Sequence, residues 1–336
     1  MFIMIVDHRW PLCQQPLLWL LTSVWLLAMP VAADFSQQAQ VQTWVAQQQD
    51  LGHSQAQVLA LLQKAPRQPK VIPVLVKAPE SNWVWTDYRQ RLLSQQRIKA
   101  GRKFMRHHAA LLQNVAQTYG VPAHYIAAIA GVETNFGSYT GRFPTLGTLA
   151  TLAFEHPRRQ TYFRKELAHY LRLSYSQDFD PLTVRGSPAG AMGMAQFMPS
   201  SYQAYAVDGD GDGDIDLLTS VADSLASIAN YLVRHGWQGE KPVWLAIEAQ
   251  NPINEVSNKP KPGGKSLAAW QAKGIRLVTP LAELERNKVE YRLYPFTTHA
   301  ETEYILATGN FYAITRYNHS LWYARLVAEL ADAINK

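Results

Sequence analysis

A single cysteine, Cys13, occurs in the 336 residues, and it lies in a leader-like stretch at the start. A chain cleaved after that stretch has no thiol, which excludes disulfide scaffolding, thiol catalysis and paired-cysteine metal sites. Long apolar runs are scarce as well. The stretch LLWLLTSVWLLAM, Leu17 to Met29, is shorter than the roughly 20 residues a spanning helix needs. Charged residues make up only 17%, and although the formal net charge is +6, lysine and arginine are scattered and form no block. No nucleic-acid partner is expected from such a distribution, whereas the positive surplus suits a membrane surface or an acidic wall polymer. Also missing are a G-x-S-x-G elbow, an H-E-x-x-H helix, a dinucleotide glycine fingerprint and the Lys-Ser/Thr ending of a phosphate loop.

Hydrophobic residues, 47% of the chain, provide core for two or three domains. Residues 1–33 read as a signal peptide: Arg9 precedes the apolar run, and PVAAD supplies small residues for cleavage near Ala33. The expected location is the periplasm, with an uncleaved anchor as the alternative. Lipidation would need a cysteine at the far end of the apolar run, and Cys13 stands before it.

Residues 34–119 form a glutamine-rich helical region. Ser54 and Gln57 have capping-box spacing ahead of Val58, Leu61 and Leu62, and Trp83, Trp85, Tyr88 and Leu92 are expected to pack in a core. Residues 120–237 continue as helices, including HPRRQTYFRKELAHYL, with Tyr162, Phe163, Leu167 and Leu171 at helical spacing, and SVADSLASIANYLVRHGW, which stops near Gly236. Short β-prone pieces, PVWLAIEA, IRLVTP and EYRLYPF, surround the loop NKPKPGGK within residues 238–306. A helix over 307–336 completes the pattern. The fold class is mainly α (α+β): a helical core with an added N-terminal helical domain and a small β-containing insertion.

Four segments could carry chemistry. In IAAIAGVETNFG, Pro122 suits the first helical position, Gly137 suits a left-handed stop, and Tyr125, Ile126, Ile129, Val132 and Phe136 mark one buried face. Glu133 falls beside that face in the last turn, where the helix dipole and partial burial both favour the neutral acid, as a general acid requires. A structural glutamate, capping a neighbour or paired with arginine, is the alternative. GSPAGAMGMAQFMPSSY, residues 186–202, lets backbone approach a ligand closely and offers Ser187, Gln196 and Tyr202, or is simply a tight loop entering a helix. In DGDGDGDIDLLT, residues 208–219, Asp208, Asp210 and Asp212 occupy EF-hand positions 1, 3 and 5, Gly213 position 6, Asp214 position 7 through its carbonyl and Asp216 position 9. Structural Ca2+ of modest affinity is expected there, since Thr219 replaces the bidentate glutamate. ITRYNHSLWYA offers Tyr317, Asn318 and Tyr323 for a sugar groove, or is a helix start capped by Asn318. The adjacent pair His107–His108 diverges on a helix and makes no metal site.

Taken in order, GVETNFG, HPRRQTYF, GSPAGAMGMAQFMPSSY, the aspartate loop with IANYLVRHGW, and FYAITRYNHSLWYA resemble the membrane-bound lytic murein transglycosylase B family, glycoside hydrolase family 103, over essentially the whole chain after residue 33. The resemblance implies a lysozyme-like core, an EF-hand-like calcium loop and no organic cofactor. It also implies cleavage of the β-1,4 bond between N-acetylmuramic acid and N-acetylglucosamine in peptidoglycan glycan strands, leaving 1,6-anhydromuramoyl ends. By the same resemblance Glu133 is the single acid/base, and Ser187, Gln196, Tyr231, Tyr317, Asn318 and Tyr323 line the groove. A lysozyme-like hydrolase and a non-catalytic wall-binding protein are the rival readings. The enzyme is expected to be a monomer, with cell-wall synthesis or division proteins as candidate partners. The chain departs from the family in lacking the lipidation cysteine and in its lengthened, Asp-Gly-rich loop.

Overall fold

The structure, a computed structural model, describes residues 34–76, 83–249, 255–278 and 289–336. The signal segment 1–33 lies outside the described residues. After a 3-10 turn at Phe35–Gln37, the N-terminal region holds α1 (Ala39–Gln47), α2 (Gln55–Lys64), α3 (Val71–Val76), α4 (Trp85–Leu92), α5 (Gln95–His107) and α6 (Ala109–Tyr119). The capping box forms as the sequence predicts, with the Gln57 backbone N–H donating to Ser54 Oγ and the Ser54 N–H to Gln57 Oε1. Trp85, Tyr88 and Leu92 are buried core residues.

The helix carrying Glu133 is α7 (Ala123–Thr134). Two features differ from the sequence reading. Pro122 is the N-cap rather than the first helical residue, and the helix is buried from Tyr125 to Val132 on every side, not along one face. That follows from its packing: α5, α6, α11 (Val221–Arg234) and α14 (Leu321–Ile334) all lie against it. Helices α8 (Thr145–Glu155) and α9 (Gln160–Ser176) pair with each other. On α9, Phe163, Leu167 and Leu171 are buried, but Tyr162 points to the surface at 37% exposure.

Short strands β1 (Phe143–Pro144) and β2 (Arg185–Gly186) pair antiparallel ahead of α10 (Pro199–Tyr205). Strands β3 (Trp244–Ala249), β4 (Lys265–Ser266), β5 (Ile275–Leu277), β6 (Glu290–Thr297) and β7 (Thr302–Ala307) form an antiparallel sheet in the order β4-β6-β7-β3-β5. Period-two alternation assigns its faces. Tyr291, Leu293 and Leu306 join Trp270 of the short helix α12 (Leu267–Gln271) in a small separate cluster, whereas Tyr294, Phe296 and Ile305 enter the main core.

The C-terminal region is two helices rather than one, α13 (Gly309–Tyr317) and α14, broken at residues 318–320. Ser320 caps α14 by accepting from the Tyr323 N–H, so the expected capping role of Asn318 is wrong: Asn318 ends α13 in an extended conformation. Strand β7 was also not anticipated. Its last three residues are all buried, with Leu306 facing one cluster and Ile305 and Ala307 the other, so no polar alternation marks it.

Candidate active site

Three residues after α7 take left-handed backbone in succession, Asn135, Phe136 and Gly137, at φ of 50°, 61° and 81°. The helix therefore stops at Thr134, three residues before the expected glycine. The reversal sends the Phe136 ring back under the helix, where a Cβ on Gly131 or Gly101 would meet it at 2.5 or 2.8 Å. Those two glycines open the slot that the ring fills, and Phe104 packs on it with centroids 5.3 Å apart. Thr134 ties the turn to the next segment. Its hydroxyl is shared between the carbonyls of Ala130 and Met194, each 3.1 Å away, and accepts from the Gly137 N–H.

Glu133 thus sits on a fixed last turn, with its carboxyl set among side chains rather than in bulk water. Burial raises its pKa above the ordinary carboxylate value, against the smaller opposing effect of a 2.7 Å hydrogen bond donated by the Tyr323 hydroxyl to Oε1. Burial also holds the hydroxyls of Tyr317 and Tyr323 well above the usual tyrosine range, with the Glu133 charge adding to it. Both therefore stay protonated and able to donate. Tyr317 stacks nearly parallel to Tyr323, at 6.4 Å and 11°, and donates to the Ala195 carbonyl at 2.6 Å. Tyr231 stands edge-on to Tyr317 at 4.8 Å, and its hydroxyl donates to the Arg316 carbonyl at 2.6 Å. Three of the aromatic residues selected from sequence therefore form one wall that starts at Glu133.

The loop of residues 187–198 packs against this wall, with the Phe197 ring 5.6 Å from Tyr231 and 5.7 Å from Tyr317. Ser187 Oγ accepts from the N–H groups of Ala189 and Ala191, which rounds the loop. Gln196 has left-handed backbone, φ 49°, and its amide donates to the carbonyls of Thr140 and Gly193, each 2.9 Å away. Gly193 is required here: at φ 66° it passes so close to Leu217 that a Cβ would lie 1.9 Å from that carbonyl oxygen. Asn318 follows Tyr317 at the helix break, half-buried beside the tyrosine wall.

Among the described residues, no second carboxylate acts on the ionisation of Glu133. The buried Glu166 is committed elsewhere, accepting from both the N–H and the hydroxyl of Ser200 at the start of α10. A pair of carboxylates flanking a bond, as ordinary retaining and inverting glycosidases use, is not what this site presents.

The aspartate loop is a separate structure. Carboxylate oxygens of Asp208, Asp210 and Asp212 come within 4.8 Å of one another. Asp208 accepts from the N–H groups of Gly213 and Gly211, which hold its pKa below the ordinary value, and both glycines have positive φ. Three ionised oxygens in an exposed loop of EF-hand spacing fit a hard divalent cation. The other two expected positions do not converge on it with their side chains: Asp214 turns to the Ile215 N–H, and Asp216 accepts from the Leu218 and Thr219 N–H groups and from the Thr219 hydroxyl. Asp216 is occupied in starting the next turn. Sequence reading missed Asp223, which is 2% exposed and accepts from the N–H groups of Gly209 and Asp216, fastening both sides of the loop to α11. Its spacing from the N-cap Ser220, three residues, was the available signal.

Comparison with known proteins agrees with this geometry. The family model described as "Transglycosylase SLT domain" matches residues 36–332. The chain is 35% identical over 316 residues to the membrane-bound lytic murein transglycosylase B of Escherichia coli, covering 91% of this chain and 85% of that one. The solved structure of the Escherichia coli lytic transglycosylase Slt35 in complex with calcium superposes with a TM-score of 0.80 at 34% identity, covering 90% of this chain and 94% of that chain. Pseudomonas aeruginosa SltB3 in complex with NAG-anhNAM-pentapeptide superposes at 0.79 with 31% identity, covering 90% and 80%.

Proposed function

Since the chain belongs to the SLT-domain transglycosylase family and is a peptidoglycan lytic transglycosylase, we propose that Glu133 serves as its single acid and base. The observation that carries this reading is the isolated, desolvated Glu133 carboxyl hydrogen-bonded to the Tyr323 phenol. With burial favouring its neutral form, it delivers its proton to the oxygen linking N-acetylmuramic acid to N-acetylglucosamine. The C1–O bond breaks, and the substrate's own acetamido group takes up the charge that develops at C1. Glu133, now ionised and steadied by the Tyr323 hydroxyl, accepts the proton of the C6 hydroxyl as that oxygen attacks C1. A 1,6-anhydro ring forms and Glu133 regains its proton. The nucleophile belongs to the same sugar, so its effective concentration exceeds that of water and no second carboxylate is needed to activate one.

Tyr231, Tyr317, Asn318, Ser187 and Gln196 are proposed to grip the glycan on the two sides of Glu133. Asp208, Asp210 and Asp212 would hold Ca2+, with the Asp214 carbonyl completing the turn. The related structure in complex with calcium supports this. The ion stabilises the fold and takes no part in bond cleavage. We place the enzyme at the cell wall, exported by residues 1–33. Among the described residues, no helix is long and apolar enough to cross a membrane.

Mass spectrometry of digested sacculi tests the chemistry. Wild-type protein should release fragments with anhydro ends, and Glu133→Gln should lower the rate by at least about 100-fold with an unchanged circular dichroism spectrum. Reducing ends would instead identify a hydrolase, and undiminished release by the variant would remove Glu133 from the reaction.

A further inference from the structure

The tyrosine wall does not end at Tyr231. His235, the residue that closes α11, stacks on the Tyr231 ring at 4.0 Å and 22°, and Tyr205 meets both rings at 4.9 and 5.0 Å. Beside it, at the end of α13, Arg316 approaches His319, Nη1 to Nδ1 3.3 Å, with its guanidinium over the Tyr312 ring. Arg316 and His319 both act electrostatically on His235, so the three basic groups are neighbours. Ring-to-ring steps of 6.4, 4.8 and 4.0 Å put the His235 end of this cluster within about 15 Å of Tyr323, at the far end of the tyrosine wall from Glu133.

Among the described residues, Arg316 forms no ion pair with a carboxylate. Burial, with the Arg316 charge adding to it, lowers the pKa of both His235 and His319, so Arg316 is the cation of the cluster and the two imidazoles are its polar neighbours. Arg67, Arg89 and Arg325 are paired with carboxylates, and Arg102, Arg164 and Arg172 bind backbone carbonyls. The negative end of α13 favours a cation at Arg316, but that effect is worth only about 0.3–1 kcal/mol at an exposed helix end, and the guanidinium beyond its contact with His319 has no carboxylate to meet among the described residues.

We infer that Arg316, His235 and His319 form an anion-recognition subsite at one end of the glycan groove, and that its ligand is a carboxylate of the peptide branch carried by the substrate. The inference rests on the proposed function. Where the lactyl carboxyl of each N-acetylmuramic acid is amide-linked to a peptide, the sugars are neutral and the fixed anions of the polymer are the carboxylates of its peptides, and a planar guanidinium binds a carboxylate through two parallel hydrogen bonds. The related structure in complex with NAG-anhNAM-pentapeptide carries a branch of this kind.

The test compares kcat/KM on glycan strands bearing peptides with that on the same strands after their peptide carboxylates have been converted to amides, for wild type, Arg316→Lys and Arg316→Gln, reading anhydro-ended products. A charge-assisted hydrogen bond is worth a factor of about ten or more. Arg316→Gln should therefore lower the ratio of carboxylate-bearing to amidated kcat/KM about tenfold, chiefly through KM, and Arg316→Lys should recover part of it. An unchanged ratio overturns the subsite, whether both activities are intact or both have fallen together through damage to the Tyr231 and Tyr317 wall. If the Gln variant does not fold, the same ratio measured for His319→Gln, predicted to drop about threefold, decides. Absence of anhydro products from wild type on either substrate would instead sink the proposed function, and the subsite with it.

Discussion

At the scale of single residues, Glu133 and Tyr323 set each other's properties, and their ionisation links stability to activity. Burial favours the neutral carboxyl, so the native state binds a proton that the unfolded chain gives up at lower pH. The stability this contributes is complete below the unfolded pKa of glutamate, about 4.3, and is lost as pH rises through the folded value. Glu133→Gln, which cannot ionise, should melt at a higher temperature than wild type at pH 7 and above, and the difference should vanish near pH 4. Thermal melts at the two pH values check this; a variant less stable at pH 8 would mean that the carboxylate is welcome in its site. Tyr323→Phe tests the partner. The phenol stabilises the ionised carboxylate, so its removal should raise the pKa of Glu133 further, move the alkaline limb of the pH–rate profile to higher pH, and lower kcat by roughly tenfold because the base form loses its donor. An alkaline limb that moves to lower pH would contradict the assignment.

Among the elements, the aspartate loop and the turn after α7 show what patterns in sequence reveal and what they conceal. The aspartate loop was legible because its carboxylates repeat at alternate positions and its glycines mark the turn; its anchor Asp223 was not, since nothing in an N-cap spacing says that the side chain will reach backward. Saturation at about 100 times the dissociation constant should stabilise the protein by roughly 2.7 kcal/mol. Chelation should lower the melting temperature by several degrees, Asp208→Ala should abolish that response, and activity should persist wherever the variant is folded. A melting temperature indifferent to calcium and chelator would contradict the site. The placing of Glu133 in the last turn of a largely buried helix was legible from the apolar and small residues around it, and so was left-handed Gly137. The left-handed backbone of Asn135 and Phe136 was not, because it goes with the slot that Gly131 and Gly101 open for the Phe136 ring. In the same way the break at residues 318–320 has a serine cap that competed with an equally plausible asparagine, and β7 hides in an apolar run buried on both faces.

On the scale of the whole molecule, three regions meet at Arg325. Buried at 6% exposure, its guanidinium lies 4.7 Å from the Trp85 ring of α4, 4.6 Å from Phe296 of β6 and 5.6 Å from Trp244 of β3. It pairs with Glu303 of β7 and, at 2.9 Å, with Glu329 of α14. The sheet and the N-terminal helices are thereby fixed to the helix that carries Tyr323. Removing the guanidinium leaves Glu329 with Arg89 as its remaining partner and the rings without their filler, so Arg325→Ala should cost about 2–3 kcal/mol in urea unfolding. A loss under 1 kcal/mol would show that the sheet docks without it. Broad architecture was legible here from the change of texture after residue 238, but a single arginine joining three regions has no local signature.

The phenol that Glu133 needs stands 190 residues further along the chain. A polypeptide emerging from the ribosome possesses the carboxyl long before it possesses the donor, and α7 gains its largest neighbour only when α14 has docked. The pairing of Glu133 with its phenol therefore waits on the last helix of the chain. On the proposed function, a copy cut short before α14 would hold the acid without the hydroxyl that steadies its ionised form, and would be blunt toward the wall polymer.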